Sequence, residues 1–370
     1  MFQFTFDKIE TMKKKVLIGM SGGVDSSVAA YLLKNQGYDV IGVTMQIWDG
    51  VSEENGTCCS LSAVEDARRV ASKLGIPHYV FNFKKSFDKK VVQYFISEYL
   101  KGRTPNPCIA CNKHIKFGEL LKRANSMDIE YVSTGHYAQI VQPSKKTNNR
   151  YLLKKGKDSS KDQSYVLYNL TQEQLSKSLF PLGKLRKKKV RKIAEKIGLA
   201  VANKKDSQEI CFVTDNNYSG FIQNQTKKNF KKGNIVDLQG NILGQHNGIH
   251  KYTVGQRKGI KTISNEPLYV IKIDTTNNQV IVGKEEDIYT HKLIAEDLNW
   301  IAIKGLEKPM KVKAKIRYRS EDAVCTISNI EDTKGTVLVE FKERQRAITP
   351  GQSVVFYDKD IVIGGGIITK

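Results

Sequence analysis

The sequence predicts an α/β fold, in which an N-terminal doubly wound parallel sheet precedes a small β-rich central domain and a C-terminal β-barrel. Two observations lead to this class. Short apolar runs alternate with segments of helical periodicity up to about residue 215, which is typical of a parallel sheet covered by helices. From about residue 216, short strands and turns replace this alternation. The expected parts are an N-terminal extension, the α/β domain, the central domain and the barrel, at residues 1–11, 12–215, 216–285 and 286–370.

The first predicted strand, Val16–Gly19, leads through a glycine-rich turn into a helix. Glycines let a backbone approach a ligand closely, and a helix N-terminus directs amide groups at an anion. The hydroxyls of Ser21, Ser26 and Ser27 surround the turn, and Asp25 is of the type that holds magnesium beside a phosphate. The spacing of the kinase-type phosphate loop is absent. A phosphate site is therefore expected at the end of this strand, although a glycine turn without a ligand is the alternative.

Further strands and helices continue the α/β pattern along the chain. Strands are short apolar runs, and helices repeat apolar residues every three or four positions. Met45 and Gly135 fall at strand ends, a position suited to flanking an adenine and a ribose. The segment Ser207–Val213 closes the α/β part. The expected elements are strands Asp39–Ile47, Tyr79–Phe83 and Tyr131–Tyr137, and helices Ala63–Leu74, Phe87–Tyr99 and Ile115–Asn125.

Composition restricts the class of protein. Sixty Lys and Arg against 38 Asp and Glu give a formal net charge of +22, which indicates a polyanionic partner or a lysine-rich proteome. No run approaches about 18 consecutive apolar residues, so no membrane segment is expected. Met1–Thr11 resembles neither a secretory signal nor a transit peptide, and we expect a cytoplasmic protein. Six cysteines in such a protein indicate catalysis, metal binding or redox chemistry rather than a disulfide scaffold.

Two segments concentrate the positive charge. The stretch Lys311–Arg319 alternates strictly, which on a strand places five cations on one face and suits a nucleic-acid backbone. The predicted helix Lys184–Ile197 has one apolar face, and its basic face is either solvated or binds phosphates. The cations of that face are Lys187, Lys188, Arg191, Lys192 and Lys196.

The cysteines leave several chemistries open. Cys111 is expected just before a helix and near lysines, which would lower the pKa of its thiol, and Cys211 follows a strand-like turn. The pair Cys108 and Cys111 reads as a redox pair, as half of a zinc site, or as two ligands of an iron–sulfur cluster with Cys211 as the third. No second Cys-x-x-Cys exists, which disfavours a closed zinc site. The remaining cysteines are expected to be structural, namely Cys58, Cys59 and Cys325.

From Lys13 to Lys370 the chain resembles the tRNA-specific 2-thiouridylases, a family of the PP-loop ATP pyrophosphatase superfamily with an adenine nucleotide alpha hydrolase-like fold. The resemblance rests on motifs that occur in order along the chain. They are Gly-Met-Ser-Gly-Gly-Val-Asp-Ser-Ser, Thr-Pro-Asn-Pro-x-x-x-Cys-Asn-Lys, Lys-Asp-Gln-Ser-Tyr, Ser-Gln-Glu-Ile-Cys-Phe, Tyr-Thr-Val-Gly-Gln-Arg-Lys-Gly and Thr-Pro-Gly-Gln.

The resemblance implies a role for each matching residue. Cys111 would be the nucleophile and Cys211 the persulfide carrier, and the two would form a redox disulfide. Many members have aspartate where this chain has Cys108, so an acid role at that position is not carried over. The implied ATP site is Gly19, Met20, Ser21, Gly22, Gly23, Val24, Asp25 and Ser26, with Met45 and Gly135. The implied contacts to the target base and tRNA are Asn106, Pro107, Cys108, His136, Lys161, Asp162, Gln163, Arg317, Tyr318 and Gln352. From its position alone, His136 reads as an ordinary strand-end histidine.

The resemblance also implies a reaction and its partners. ATP with Mg²⁺ would adenylate the C2 oxygen of the wobble uridine (position 34) of tRNA, and a persulfide on Cys211, loaded by a sulfur-donor protein, would attack C2. In a second route, Cys108, Cys111 and Cys211 would hold a [4Fe–4S] cluster. Two other classes of protein remain as alternatives, an ATP pyrophosphatase acting on a small substrate and a non-catalytic RNA-binding protein.

Overall fold

The computed structural model describes residues 13–48, 61–204, 210–213, 215, 217–264, 266–331, 333 and 335–370. The expected extension 1–11, Cys58, Cys59 and the segment 207–209 lie outside these residues. None of the helices within the described ranges has the length and apolar character that a membrane crossing requires.

The helices of the described chain lie mainly in its first two thirds. Two continuous helical segments contain π-helical turns, at Asp88–Val92 within residues 84–100 and at Asn112–Glu119 within residues 107–125. The bounds of the helices are α1 (Val24–Asn35), α2 (Leu61–Leu74), α3 (Lys84–Phe87), α4 (Gln93–Leu100), α5 (Pro107–Cys111), α6 (Leu120–Asn125), α7 (Gln172–Ser176), α8 (Lys187–Lys196) and α9 (Tyr218–Thr226).

The strands form three sheets. Those of the first are β1 (Lys15–Gly19), β2 (Asp39–Gln46), β3 (His78–Asn82), β4 (Tyr131–Ser133) and β7 (Ser178–Leu179). Those of the second are β8 (Gly233–Val236), β9 (Ile242–His246), β10 (Tyr269–Asp274) and β11 (Gln279–Gly283). The third comprises β5 (Ala138–Val141), β6 (Leu152–Lys155), β12 (Tyr289–Trp300), β13 (Met310–Lys315), β14 (Ala323–Asn329), β15 (Val337–Arg346), β16 (Ser353–Asp358) and β17 (Ile361–Ile368).

The first sheet has the order β3-β2-β1-β4-β7, and all of its pairs are parallel. Side chains of β1 alternate between two apolar cores. Leu17 packs with Phe117 on one face, whereas Val16 and Ile18 pack with Val28 on the other. Helices therefore cover both faces, which confirms the predicted doubly wound sheet. The strand order reverses beside β1, and ligands of such sheets bind at this point.

The later part of the chain is β-rich, as predicted. The central sheet has the order β10-β11-β8-β9. In the C-terminal part, β12, β15, β14, β13, β16 and β17 form a six-stranded barrel that the β12–β17 pairing closes. The hairpin of β5 and β6 joins the outside of this barrel through Ile361 and Lys154, a pairing that the sequence analysis did not predict.

The predicted strand Lys311–Arg319 is too long. Strand β13 ends at Lys315, and the side chains alternate between outside and core as far as Ile316. The chain then turns, because the Ser320 amide and hydroxyl both donate to the carbonyl of Arg317. Tyr318 is therefore 36% exposed rather than in the barrel core, and Arg317 and Arg319 do not extend the stripe of the strand.

Two glycines from the family motifs lie where the three parts of the chain meet. A Cβ added to Gly351 would stand 2.8 Å from the Thr104 nitrogen, and one added to Gly255 would stand 2.5 Å from the Ala347 Cβ. Both glycines have positive φ. Thr104 donates its amide to the Pro350 carbonyl over 2.8 Å and its hydroxyl to Thr253 over 3.3 Å. These contacts fix the barrel and the central domain against the loop before α5.

Candidate functional site

A cavity of about 2160 Å³ opens where β1 and β4 end. It lies between the parallel sheet and the barrel, and all but one of the predicted site residues line it. The exception is Gly22, whose Cα faces the backbone of Ala63 instead. The predicted residues that line the cavity are Gly19, Met20, Ser21, Gly23, Val24, Asp25, Ser26, Met45, Asn106, Pro107, Cys108, Cys111, Gly135, His136, Lys161, Asp162, Gln163, Cys211, Arg317, Tyr318 and Gln352.

The glycine-rich turn is held by its own hydroxyls. Ser26 and Ser27 donate their hydroxyls to the Gly23 carbonyl over 3.2 and 2.8 Å, and the Ser21 amide donates to the Ser26 hydroxyl over 3.2 Å. Gly135 approaches the N-terminus of α1 so closely that an added Cβ would stand 2.8 Å from the Ser26 nitrogen. The absence of a side chain at Gly135 therefore lets its backbone pack directly against the start of α1, where free helix amides suit an anion.

Replacing Gly135 with alanine is expected to weaken ATP binding by about tenfold or more, because the methyl group forces β4 away from the start of α1. Calorimetric titration with a non-hydrolysable ATP analogue and Mg²⁺ measures this change. Gly305→Ala is the control, since an added Cβ there meets nothing within 4 Å. Equal affinities for the two variants would contradict the assignment of this wall to the nucleotide site.

Asp25 is held by two buried side chains that sequence reasoning did not identify. The Tyr137 hydroxyl donates to Asp25 Oδ1 over 2.7 Å, and Lys187 Nζ donates to Asp25 Oδ2 over 2.7 Å. The side chain of Lys187 is only 11% exposed, so the prediction that places it on the basic outer face of α8 is wrong. The missed signal is spacing: Lys187, Val190 and Ala194 lie on one helix face, and all three are buried.

The expectation that Cys111 lies just before a helix is wrong. Asn106 is the N-cap of α5, its side-chain oxygen accepts the amide of Cys108 over 3.1 Å, and Pro107 is the first helical residue. Cys111 is therefore the fifth residue of a helix that continues to Asn125, and its side chain is buried. The exposed Cys108, not Cys111, occupies the first turn beside the helix N-terminus.

Cys211 lies in a turn that a buried aromatic ring anchors. The Val213 amide donates to the Ile210 carbonyl over 2.9 Å, which closes the turn. The ring of Phe212 is 2% exposed, and four other rings lie with their centroids 5.2–6.2 Å from its own. They belong to Trp48, Phe87, Phe95 and Phe221. Cys211 is half-buried and packs against the same apolar cluster that contains Cys111.

The described cysteines do not form a metal site. Cys108, Cys111, Cys211 and Cys325 are not joined by disulfides. Within the described ranges, no three His, Cys, Asp or Glu side chains come together as ligands of one metal ion. The arrangement therefore does not fit the iron–sulfur alternative, although Cys111 and Cys211 line one cavity. Cys325 lies in the barrel core, where burial raises the pKa of its thiol to about 12.

His136 is buried in the cavity wall and remains neutral. Its Nδ1 lies 2.7 Å from the Thr134 hydroxyl, and its ring packs against those of Phe117 and Phe180, which also contact each other. Burial and, to a smaller degree, the charge of Lys116 lower the pKa of His136 well below its ordinary value. This geometry agrees with a base-contacting ring and equally with an ordinary core histidine.

Several of the predicted RNA-contacting side chains build the cavity wall through internal hydrogen bonds. The Asp162 carboxylate accepts from the amides of Gly156 and Ser164, and Gln163 Oε1 accepts from the Tyr137 amide over 2.9 Å. Gln352 Nε2 donates to the Thr104 carbonyl over 2.7 Å. Arg317 donates to the Ala347 carbonyl and the Thr349 hydroxyl.

Further lysines line the same wall, and its cations outnumber its carboxylates, as binding of an RNA backbone requires. Four of these lysines form ion pairs, namely Lys154 with Asp360, Lys155 and Lys313 with Asp322, and Lys204 with Asp66. Burial lowers the pKa of Lys315, the last residue of β13. The β5–β6 hairpin, whose attachment to the barrel was not predicted, adds two more cations. The additional lysines are Lys116, Lys154, Lys155, Lys157, Lys184, Lys204, Lys313 and Lys315.

Comparison with known proteins gives matches along nearly the whole chain. Three family models match, described as the tRNA methyl transferase HUP domain over residues 14–215, the tRNA methyl transferase PRC-barrel domain over 219–284 and the Aminomethyltransferase beta-barrel domain over 290–368. The chain is 57% identical to the tRNA-specific 2-thiouridylase MnmA of Clostridioides difficile (strain 630), covering 97% of this chain and 99% of that protein. It is 59% identical to a tRNA-specific 2-thiouridylase MnmA 2 of Caldanaerobacter subterraneus, over 96% and 98% respectively.

Among solved structures, a 4-thiouridine synthetase–RNA complex with bound ATP matches with 18% sequence identity and a TM-score of 0.36. The match covers 58% of this chain and 50% of that chain.

Proposed function

Since the chain belongs to the tRNA-specific 2-thiouridylase family, we propose that it converts the wobble uridine of tRNA to 2-thiouridine at the expense of ATP. The observation that supports this most is the composition of one cavity. The glycine-rich turn, Cys111, Cys211 and a wall of lysines from both the α/β part and the barrel all face it. No small substrate requires so large a cationic cavity, and a protein that only binds RNA requires neither the turn nor the two thiols.

The first step is activation of the base. A buried pocket requires the uridine to leave the anticodon stack while the lysines hold the phosphates of the loop. The C2 oxygen then attacks the α-phosphorus of ATP, the bond to the β-phosphate breaks, and pyrophosphate leaves. The amides at the start of α1 bind the leaving phosphates, and Gly135 packs closely beside that helix start.

Asp25 fits a magnesium ion that accompanies ATP. Oδ1 accepts the hydrogen bond of Tyr137 and Oδ2 that of Lys187. Since a carboxylate has about four lone-pair sites, lone pairs remain on both oxygens to bind a metal ion. When bound, the ion neutralises the charge that builds on the phosphates.

The second step transfers sulfur. A donor protein loads Cys211 as a persulfide, and its terminal sulfur attacks C2, from which AMP departs. The Cys111 thiolate then attacks the inner sulfur of Cys211 and breaks the sulfur–sulfur bond. The electron pair leaves with the sulfur on C2, which becomes 2-thiouridine, and a Cys111–Cys211 disulfide remains. A thiol reductant restores both cysteines for the next turnover.

We also propose that the chain has three functional domains with the bounds expected from the sequence. They are a PP-loop ATP pyrophosphatase domain (12–215), a central domain (216–285) and a tRNA-binding barrel (286–370). The ranges of the three matching family models support these boundaries. A cytoplasmic location agrees with the substrate, because tRNA is modified there.

The experiment that tests the function follows AMP and thiolation together. Purified protein receives ATP, Mg²⁺, a persulfide donor and an unmodified tRNA with a wobble uridine, and thiolated tRNA is detected by its retardation in a mercury-containing gel. We expect AMP to depend on the tRNA and the retarded band to depend on the donor. AMP formation without tRNA would favour a small-substrate pyrophosphatase, and tRNA binding without AMP would favour a non-catalytic RNA-binding protein.

A further inference from the structure

The two side chains that hold Asp25 are both tied to one neighbouring segment, residues 158–163. Lys187 donates its backbone amide to Asp158 Oδ2 over 2.8 Å. The backbone of Tyr137 forms two hydrogen bonds with Gln163. The Tyr137 amide donates to Gln163 Oε1 over 2.9 Å, and the Tyr137 carbonyl accepts the Gln163 amide over 2.9 Å. The hydrogen bonds therefore form a closed ring that runs from Asp25 through Lys187, the segment and Tyr137 back to Asp25.

The segment itself faces the cavity and is internally braced. Asp158 accepts from the amide and the hydroxyl of Ser160 over 3.1 and 2.6 Å, and its carbonyl accepts the amide of Lys161. Ser159 through Gln163 line the cavity, whereas Lys187 lies behind Asp25 and does not line it. A ligand in the cavity thus touches the segment and Asp25 directly, and reaches Lys187 only through them.

We propose that Lys187 and Tyr137 are positioning residues that couple RNA contact at residues 158–163 to the binding of Mg²⁺ and nucleotide at Asp25. The inference rests on the proposed function, because it requires tRNA and ATP in the same cavity. An ammonium group 2.7 Å from Oδ2 neutralises the charge that Asp25 offers to a metal ion. Movement of residues 158–163 displaces Lys187, the first residue of α8, through its backbone hydrogen bond to Asp158. This displacement changes the hydrogen bond between Lys187 and Asp25.

The location of the pair makes such a link effective. The side chains of Lys187 and Asp25 are 11% and 29% exposed, so solvent and salt screen their interaction less than that of a surface pair. Coupling between two ligands is reciprocal at equilibrium. RNA that favours nucleotide binding must therefore bind more tightly when the nucleotide is present, and by the same factor.

The test measures this factor without any chemistry. The affinity of a fluorescent, unmodified tRNA with a wobble uridine is determined with and without a saturating non-hydrolysable ATP analogue and Mg²⁺. We expect about a tenfold difference for the wild type, and less than about threefold for Lys187→Met and for Tyr137→Phe. Lys189→Met, an exposed position of the same helix, should retain the wild-type factor. Tyr137→Phe removes a single hydroxyl, so it tests the inference even where Lys187→Met fails to fold.

The outcomes separate this inference from the proposed function. If Lys187→Met and Tyr137→Phe both keep the wild-type coupling factor and still thiolate tRNA, the inference is overturned and the proposed function stands. The inference is also overturned, and the function again stands, if a wild type that thiolates tRNA binds tRNA equally well with and without nucleotide. A wild type that binds no tRNA overturns both. The inference is supported if the coupling factor falls in Lys187→Met and in Tyr137→Phe and is unchanged in Lys189→Met.

Discussion

Replacing Cys211 with serine is expected to abolish tRNA thiolation, by about 1000-fold or more, while ATP binding remains unchanged. A serine hydroxyl cannot carry a persulfide, and Cys325 cannot replace Cys211 because it lies in the barrel core. The glycine-rich turn is built by its own hydrogen bonds and does not depend on Cys211. The mercury-gel assay measures thiolation, and calorimetric titration measures the nucleotide.

Cys325→Ala is the matched control for this substitution and should thiolate tRNA at the wild-type rate. Cys111→Ser is expected to block release of the thiolated base, so the tRNA should stay covalently linked to Cys211 through a disulfide that a reductant cleaves. Thiolation by Cys211→Ser at a rate near that of the wild type would show that sulfur reaches the base by another path.

Replacing Phe212 with alanine is expected to lower the free energy of unfolding by about 3–5 kcal/mol, because it removes a fully buried ring from an aromatic cluster. The same change frees the turn that presents Cys211. Thiolation per folded molecule should therefore fall as well, by about tenfold or more. Urea denaturation measures the stability, and the mercury-gel assay is made at a temperature where the variant is folded.

Phe341→Ala separates the two effects of the Phe212 substitution. Phe341 is buried in the barrel core, so its loss should cost a similar free energy without moving Cys211. We expect normal thiolation per folded Phe341→Ala molecule. Equal thiolation by the folded fractions of both variants would mean that Phe212 does not position Cys211.

The sequence predicts the part of the site that depends on local pattern. An apolar run, two glycines and a helix start identify the turn at Ser21–Ser26, and its place after β1 is enough to locate the cavity. The sequence also allows the Asn106–Pro107 helix start to be recognised, since asparagine before proline is a cap signal. This cap places Cys111 inside the helix and not before it.

Long-range contacts account for what sequence reasoning missed. The apolar pattern of α8 predicts Lys187 on the opposite, basic face, and the partner that allows its burial, Asp25, is 162 residues away. The attachment of the β5–β6 hairpin to β17 joins residues that no local pattern relates. The strict alternation of residue types predicts a strand as far as Arg319, whereas a turn that Ser320 closes follows β13.

The most direct test of the central claim is a single turnover with protein that carries a persulfide on Cys211, ATP, Mg²⁺ and unmodified tRNA, followed by mass spectrometry of the thiol-blocked peptides. The proposed reaction predicts one Cys111–Cys211 disulfide for each thiolated tRNA and each AMP released. Thiolated tRNA with Cys111 and Cys211 both recovered as blocked thiols would contradict it.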